Sequence, residues 1–255
     1  MAKRRGRRFG NLIFFAALLL ALAAAFFYYI SDDEFEPDFV RYKEFGIFIP
    51  VNYPIHGIDV SRYQKQISWQ HVKDMKVANT AIGFAFMKAT EGTNFVDMQF
   101  RRNMAAAKKA GVVRGAYHYF IGSASGAAQA AHFMNTVALT PGDLPPVLDA
   151  EQIHGASVKD YQRRISEWLA AVEKRYGVKP IIYSNADFYT KYLAGKFDEY
   201  PLWVAHYYVR DRPRIGRPWT FWQHNERGTV TGIRAKVDFN VFNGDSTAFQ
   251  ELLIK

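Results

Sequence analysis

The distribution of apolar and polar positions divides the chain into three segments with different expected structures. Residues 12–30 are uninterruptedly apolar, counting two tyrosines, and as a helix would extend roughly 28 Å, about the thickness of a bilayer's hydrocarbon core. Residues 31–55 begin with an acidic run and end in an apolar one that contains two prolines. From residue 56 onward, short apolar runs alternate with stretches of helical periodicity, which is the pattern of an α/β domain.

Eight short apolar runs in this third segment predict strands. They lie at residues 57–61, 81–90, 112–120, 145–151, 179–185, 201–207, 219–224 and 237–243. Helical periodicity is found at residues 68–77, 97–110, 124–138 and 157–176, with a short helix expected near 246–254. Five strand–helix units come first, whereas only turns separate the last three strands. The sequence therefore predicts a truncated (β/α) barrel with eight strands.

Opposite charges flank the first apolar segment. Five basic residues precede it within residues 1–8, and acidic residues follow it. By the positive-inside rule, this asymmetry predicts an uncleaved anchor with its N-terminus in the cytoplasm and the remaining chain outside the cytoplasmic membrane. A signal peptide cleaved after Ala25 is the alternative, and it would release the protein. The anchor is preferred because the apolar run continues through residues 26–30. The predicted domains are a basic tip with a transmembrane anchor (1–30), an acidic stalk (31–55) and a barrel (56–255).

Composition removes several classes of site. The chain has no cysteine, which excludes disulfides, thiol catalysis and thiolate metal sites. Its histidines show no spacing like HExxH, and GxSxG, Walker and GxGxxG motifs are absent, which disfavours a serine hydrolase or a nucleotide enzyme. No metal and no cofactor are therefore expected. The net charge of +9 indicates an anionic partner, such as nucleic acid, anionic lipid or an anionic polysaccharide, without choosing among them.

The fourth predicted strand carries two carboxylates at its end. In LPPVLDAEQIHG, only Ala150 separates Asp149 from Glu151, so an extended strand would point both acids to the same face. In barrels of this type the active site lies at the carboxyl ends of the strands. Asp59 ends the first strand and Asp238 lies on the eighth, and these strands are neighbours in a closed barrel. The four acids are therefore expected to converge on one mouth.

A ring of acids flanked by aromatic residues fits the cleavage of glycosidic bonds. One carboxyl must remain protonated to donate to the leaving oxygen, and burial beside like charges raises its pKa toward that role. The indole rings of Trp203 and Trp222 would stack on sugar rings. Two alternatives stay open: isolated aspartates that cap loops or bind arginine, and a Mg²⁺ or Mn²⁺ site built on Asp149 and Glu151.

The order of the motifs carries the interpretation further. Eight motifs follow one another between residues 56 and 244: HGIDVSRYQKQISW, FAFMKATEGTNFVD, GVVRGAYHYF, PPVLDAE, PIIYSN, LWVAHY, WTFWQH and VDFNVFNG. In sequence and order they resemble the glycoside hydrolase family 25 lysozymes. The resemblance implies a modified TIM-type (β/α)5(β)3 barrel, in agreement with the strand pattern. It also implies cleavage of the β-1,4 bond between N-acetylmuramic acid and N-acetylglucosamine in peptidoglycan.

The resemblance assigns roles to individual residues. Glu151 matches the family's proton donor, and Asp149 matches the acid beside it, which orients the 2-acetamido group or acts as the second catalytic carboxylate. Asp59 and Asp238 match the other two catalytic acids of the cleft. The residues expected to bind substrate are Glu91, Tyr117, Tyr183, Trp203 and Trp222. Retaining, inverting and substrate-assisted routes all stay open at this point.

The expected partner is the glycan strand of peptidoglycan, and no nucleic-acid partner is expected. The protein is predicted to be a monomer held at the cytoplasmic membrane of a bacterium through residues 12–30, with its barrel periplasmic or extracellular. Family members often carry separate wall-binding repeats, and here an anchor stands in their place. Two other functions are considered: a non-catalytic glycan-binding barrel, which the four intact acids disfavour, and a hydrolase of another N-acetylated glycan such as chitin.

Overall fold

The computed structural model describes residues 39–209 and 211–255. Its strands are β1 (Phe39–Tyr42), β2 (Ile47–Pro50), β3 (His56–Val60), β4 (Lys76–Val77), β5 (Thr80–Glu91), β6 (Phe95–Val96), β7 (Val113–Tyr119), β8 (Val147–Asp149), β9 (Ile181–Asn185), β10 (Leu202–Ala205), β11 (Phe221–Gly228) and β12 (Val237–Phe242). Its helices are α1 (Trp69–Asp74), α2 (Phe100–Ala110), α3 (Gly126–Thr136), α4 (Val158–Tyr176), α5 (Ala186–Tyr192) and α6 (Ser246–Leu252), with a 3₁₀ turn at Arg62–Gln64. The sequence pattern did not delimit β1, β2, β4, β6 or α5, because such short elements show no clear period.

Eight of the strands close into a barrel. Hydrogen-bonded neighbours follow in the order β3-β12-β11-β10-β9-β8-β7-β5, and a parallel pairing of β3 with β5 closes the circle. Seven of these strands run parallel, whereas β12 is antiparallel to both of its neighbours. The predicted α/β barrel is thereby confirmed. The reversal of β12 brings the beginning of that strand to the end of the barrel where the parallel strands finish.

Aromatic side chains fill the interior of the barrel. Phe86 and Trp203 stack with their ring centroids 4.4 Å apart, and Phe84 contacts Phe221 at 5.1 Å. Gly57 makes room for this cluster, since a Cβ atom there would lie 2.4 Å from the ring of Phe84. All four rings are almost completely buried. The barrel is therefore a packed core rather than a pore, and its functional surface is the mouth.

The longest helix, α4, shows how the outer layer is attached. Its buried side chains recur at helical spacing and form one apolar face: Tyr161, Ile165, Trp168, Leu169 and Val172. The Ser157 side chain caps its first turn by accepting a hydrogen bond from the Asp160 N–H. Gly177 ends it in the left-handed conformation, with φ of 70°. Sequence-encoded caps thus fix where the helix lies on the barrel.

Strands β1 and β2 form a hairpin that packs on the outer surface of the barrel. Phe45 in its turn is fully buried, and its ring contacts Phe239 of β12 with the centroids 5.4 Å apart. Phe39 contacts Trp222 of β11 at 5.9 Å. The hairpin therefore extends the apolar core beyond the barrel strands.

Most of the predictions for the N-terminal segments concern residues that the structure does not describe. The predicted anchor (1–30) and the first part of the predicted stalk (31–38) lie outside the described residues. The remaining stalk residues, 39–55, include the hairpin of β1 and β2. In the described part of the chain, no helix is long and apolar enough to cross a membrane.

A buried ion pair ties β7 to the loop before β8. Arg114 Nε lies 2.6 Å from Asp143 Oδ1 and Nη2 lies 3.0 Å from Oδ2, while Nη1 donates to the Met104 carbonyl at 2.7 Å. We expect Asp143→Ala to lower the free energy of unfolding by about 3–5 kcal/mol, because it leaves a buried guanidinium without its counter-charge. Urea denaturation followed by tryptophan fluorescence measures this change.

The matched control is Glu251→Ala, which removes a carboxylate from the exposed face of α6. It should change the free energy of unfolding by less than about 0.5 kcal/mol. Equal effects of the two substitutions would contradict a structural role for the buried pair.

Candidate active site

A cavity of about 290 Å³ opens at the mouth of the barrel, where the seven parallel strands end and β12 begins. All four predicted catalytic acids line it: Asp59, Asp149, Glu151 and Asp238. We call this cavity the acid pocket. Its other lining residues are Val60, Ser61, Tyr63, Gln64, Lys88, Tyr117, Tyr119, Tyr183, Trp203, Tyr207 and Gln223. The structure thus brings together acids that are up to 179 positions apart in the chain.

Asp59 and Asp238 are direct neighbours across the β3–β12 pairing. Asp238 is the second residue of its strand, and the antiparallel direction of β12 alone places it at the mouth. Asp59 Oδ2 accepts hydrogen bonds from Gln223 Nε2 at 2.7 Å and from Asn240 Nδ2 at 2.8 Å. Two amide side chains therefore hold this carboxylate in a fixed orientation.

Three aromatic side chains hold those amides in turn. Trp203 Nε1 donates to Asn240 Oδ1 at 2.8 Å. The hydroxyls of Tyr183 and Tyr207 both donate to Gln223 Oε1, at 2.8 and 2.6 Å. Because each amide oxygen is occupied, its NH₂ group must point toward Asp59, which fixes the direction of the network.

Burial separates the pKa values of the paired acids. Desolvation raises the pKa of Asp59 to about 6, although the hydrogen bonds from Asn240 and Gln223 oppose the shift. Desolvation and then the charge of Asp59 raise the pKa of Asp238 to about 9. At neutral pH, Asp238 is therefore a protonated carboxyl that donates to the Asp59 carboxylate.

The second pair of acids stands opposite, at the end of β8. Asp149 is buried, and its Oδ1 atom has no hydrogen-bond partner in the described part of the protein. Desolvation, followed by the charge of Glu151, raises the Asp149 pKa well above its usual range. Glu151 is only partly buried; desolvation and then Asp59 raise its pKa too. The neighbouring ammonium of Lys88 opposes both shifts.

The rim beside this second pair is basic and aromatic. Lys88 Nζ lies 2.6 Å from Glu91 Oε2 and 4.7 Å from the ring centre of Tyr119. Lys88 and Tyr119 line the acid pocket, whereas Glu91, which was expected to bind substrate, does not. Glu91 instead positions the ammonium group from outside the cavity.

Of the aromatic residues expected to bind substrate, three line the acid pocket. Tyr117, Tyr183 and Trp203 all point into the barrel mouth and are at most partly exposed. Burial, followed by the charge of Asp59, holds the pKa of Tyr117 well above its usual range, and burial has the same effect on Tyr183. Both phenols are therefore neutral hydrogen-bonding groups at every physiological pH.

Trp222 does not belong to this group. It is fully buried on the outer side of β11, where it contacts Phe39 and donates from Nε1 to the His206 carbonyl at 2.9 Å. The reason is strand parity: its neighbours Phe221 and Gln223 face the interior, so Trp222 must face outward. The structure thus assigns it to packing of the β1–β2 hairpin.

Several pocket residues escaped the sequence analysis. Among them are Lys88, Tyr119, Tyr207 and Gln223, and Asn240 beside the pocket, which donates to Asp59, was missed as well. Tyr119 and Asn240 each lie two positions after a predicted site residue, so strand alternation offered a signal for both. Lys88, Tyr207 and Gln223 had no such neighbour, and the neutral Tyr207 and Gln223 also carry no charge that marks them as functional. Among the described residues, no group of acids and histidines is arranged to hold a metal ion.

The paired acids predict how stability depends on pH. Because the folded-state pKa of Asp238 is about 9 and that of Asp59 about 6, the folded protein keeps protons that the unfolded chain has released. Stability from such groups is lost as pH rises. We expect the free energy of unfolding to fall between pH 7.5 and 9 by roughly 1 kcal/mol per pH unit. Urea titrations at several pH values measure the slope.

The window begins at pH 7.5 because buried histidines act in the opposite direction at lower pH. Burial lowers the pKa of His56 to about 4 and the pKa values of His118 and His224 to about 3. In the unfolded chain these imidazoles titrate at about pH 6.5, so the unfolded chain binds the extra protons there and stability falls as pH drops. Asp238→Asn should flatten the slope above pH 7.5, and an unchanged slope in this variant would contradict the assignment.

The chain is similar to known proteins in both sequence and structure. The family model described as glycosyl hydrolases family 25 matches residues 58–233. The protein YegX of Escherichia coli is 54% identical over 202 residues, covering 79% of this chain and 74% of YegX. Lysozyme M1 of Streptomyces globisporus is 37% identical over 208 residues, covering 75% of this chain and 69% of that protein. The structure of a family 25 glycosyl hydrolase from Bacillus anthracis aligns with a TM-score of 0.72 at 33% identity, covering 78% of this chain and 94% of the other.

Proposed function

Because this chain belongs to glycosyl hydrolase family 25, and is therefore a glycosidase that hydrolyses peptidoglycan, we propose that it cleaves the β-1,4 bond from N-acetylmuramic acid to N-acetylglucosamine. Glu151 acts as the general acid. The observation that carries this assignment is a carboxyl of raised pKa at the open edge of the acid pocket, beside the buried Asp149. A raised pKa keeps a proton available near neutral pH, which departure of the sugar oxygen requires.

The proposed step begins with proton transfer from the Glu151 carboxyl to the glycosidic oxygen. The bond between that oxygen and the anomeric carbon of N-acetylmuramic acid breaks, and the developing positive charge is stabilised by the acids around it. Asp149 orients the 2-acetamido group, whose oxygen closes onto the anomeric carbon. Glu151, now ionised, takes a proton from the water that opens this ring, and the acid returns to its starting state.

The environment of Asp149 supports the orienting role over direct attack. Because burial raises the pKa of Asp149 well above its usual range, this carboxyl holds its proton more readily and is a poorer nucleophile than an exposed aspartate. Its unpartnered Oδ1 atom remains free to bond the acetamido N–H. Asp59 and its proton-sharing partner Asp238 supply negative charge from the opposite wall of the pocket.

The experiment that tests this function uses the purified full-length protein and purified peptidoglycan. Products are reduced with borohydride and identified by mass spectrometry, so that the sugar at each new reducing end is known. N-acetylmuramitol ends support the proposed bond. N-acetylglucosaminitol ends would assign cleavage to the other glycosidic bond. Binding without new ends would favour the non-catalytic barrel, and cleavage of chitin oligosaccharides at a comparable rate would favour a broader N-acetylated substrate.

We also propose that residues 12–30 hold the enzyme at the cytoplasmic membrane, with the barrel on the outer side. The uninterrupted apolar run and the five preceding basic residues support this topology. The full-length protein is then expected to stay in the membrane fraction during alkaline carbonate extraction. A variant lacking residues 1–30 is expected in the soluble fraction. Intact-mass analysis of the membrane and soluble fractions is the decisive measurement, since a soluble chain beginning at Phe26 would show cleavage after Ala25.

A further inference from the structure

A second and larger cavity adjoins the acid pocket. Its volume is about 1180 Å³, against about 290 Å³ for the acid pocket, and Tyr63 and Gln64 line both. Two loops form it: the loop that follows β3, and the loop between β11 and β12. Both loops leave the same end of the barrel, because β12 is antiparallel to β3. The cavity is therefore a lateral continuation of the mouth.

Hydrogen bonds join the two loops into a fixed wall. Ser68 N donates to the Gly232 carbonyl at 3.0 Å, and Gln64 Nε2 donates to the Lys236 carbonyl at 2.9 Å. Gly232 has φ of +97°, and a Cβ atom there would lie 2.5 Å from the Ser68 carbonyl oxygen. Only glycine permits this approach, so the cavity is built into the fold rather than left between unrelated loops.

The lining of this cavity is basic. Lys65, His71 and Arg234 line it, and no aspartate or glutamate does. Lys65 and Arg234 are exposed, and neither forms an ion pair with any residue that the structure describes. We call the cavity the cationic groove. Beside the acid pocket, the Lys88 ammonium is paired with Glu91. The positive charge of the groove has no such counter-charge.

We propose that the cationic groove binds the carboxylates of the peptide stem carried by the N-acetylmuramic acid residue, while the uncharged sugars occupy the acid pocket. This inference rests on the proposed muramidase function. The stem is attached to the sugar whose bond is cleaved, so it extends out of the acid pocket, and the groove adjoins that pocket at Tyr63 and Gln64. A carboxylate is repelled by the ionised Asp59 in the acid pocket and attracted by Lys65 and Arg234 in the adjoining groove. The two residues therefore determine specificity without taking part in bond cleavage.

The test compares two forms of the same soluble glycan strands. One form carries native stems, and in the other the stem carboxylates are converted to methylamides with methylamine and a carbodiimide. The enzymes are the full-length wild type, the double variant Lys65→Gln/Arg234→Gln, and the control double variant Arg102→Gln/Lys109→Gln on the exposed face of α2. Both double variants remove two positive charges. The measured quantity is kcat/KM for new reducing ends on each substrate.

We expect the wild type and the control variant to prefer native strands by about fivefold to tenfold, as two exposed ion pairs would give. The groove variant should lose this preference, through a higher KM on native strands and with little change on methylamide strands. An equal preference in all three proteins would overturn the inference, and so would equal losses by the groove variant on both substrates. Failure of the wild type to release N-acetylmuramic acid ends from either substrate would instead contradict the proposed function.

Discussion

Replacing Glu151 with glutamine is expected to lower kcat for peptidoglycan hydrolysis by about 10³-fold, within the range that general acid catalysis contributes. The expected cause is loss of the proton that the departing sugar oxygen needs, since an amide of nearly the same shape cannot supply it. KM should change little, because substrate binding does not require that proton. Release of reducing ends from purified peptidoglycan, measured under saturating conditions, gives both constants.

Two controls separate chemistry from folding. Glu199→Gln removes an exposed carboxylate whose partner is Lys179, and its kcat should stay within about twofold of the wild type. The Glu151→Gln protein itself should be at least as stable as the wild type at pH 7, because a neutral group removes the desolvation cost and the repulsion that raise the Glu151 pKa. Retention of more than about a tenth of the wild-type kcat in this variant would refute the general-acid assignment.

Replacing Asp149 with asparagine is expected to lower kcat by about 10²- to 10³-fold, with a smaller effect on KM. Asparagine keeps a hydrogen-bonding group near the acetamido N–H but removes the ionisable carboxyl that Asp149 offers to this N–H while the ring closes.

Asp149→Ala distinguishes orientation from direct attack. With azide present, an enzyme that has lost a nucleophile would form a glycosyl azide with inverted configuration at the anomeric carbon. The orienting role predicts no such product, because the acetamido oxygen still occupies that face of the sugar. Analysis of the products by nuclear magnetic resonance decides the matter, and an inverted azide would assign Asp149 as the nucleophile.

The sequence predicted the acids of the site because their placement follows from local rules. A strand alternates its side chains, so Asp149 and Glu151 had to share a face wherever the strand lay. The number and order of strands then placed Asp59 beside Asp238, as the closed barrel confirms. The same reasoning could not tell which of Trp203 and Trp222 faces the interior of the barrel, because both are tryptophans on late strands whose register the sequence does not show. Only the register of β10 and β11 sends one side chain inward and the other outward.

By itself, then, the sequence determined the alternation of strands and helices and the convergence of four carboxylates, because these follow from periodicity and strand order. Tertiary structure alone decided that β12 runs antiparallel, that Gln223 reaches Asp59 across 164 positions, and that two distant loops enclose a basic groove. These features depend on which backbone groups pair when the barrel closes and on which side chains remain to satisfy buried polar atoms. No local pattern along the chain encodes either outcome.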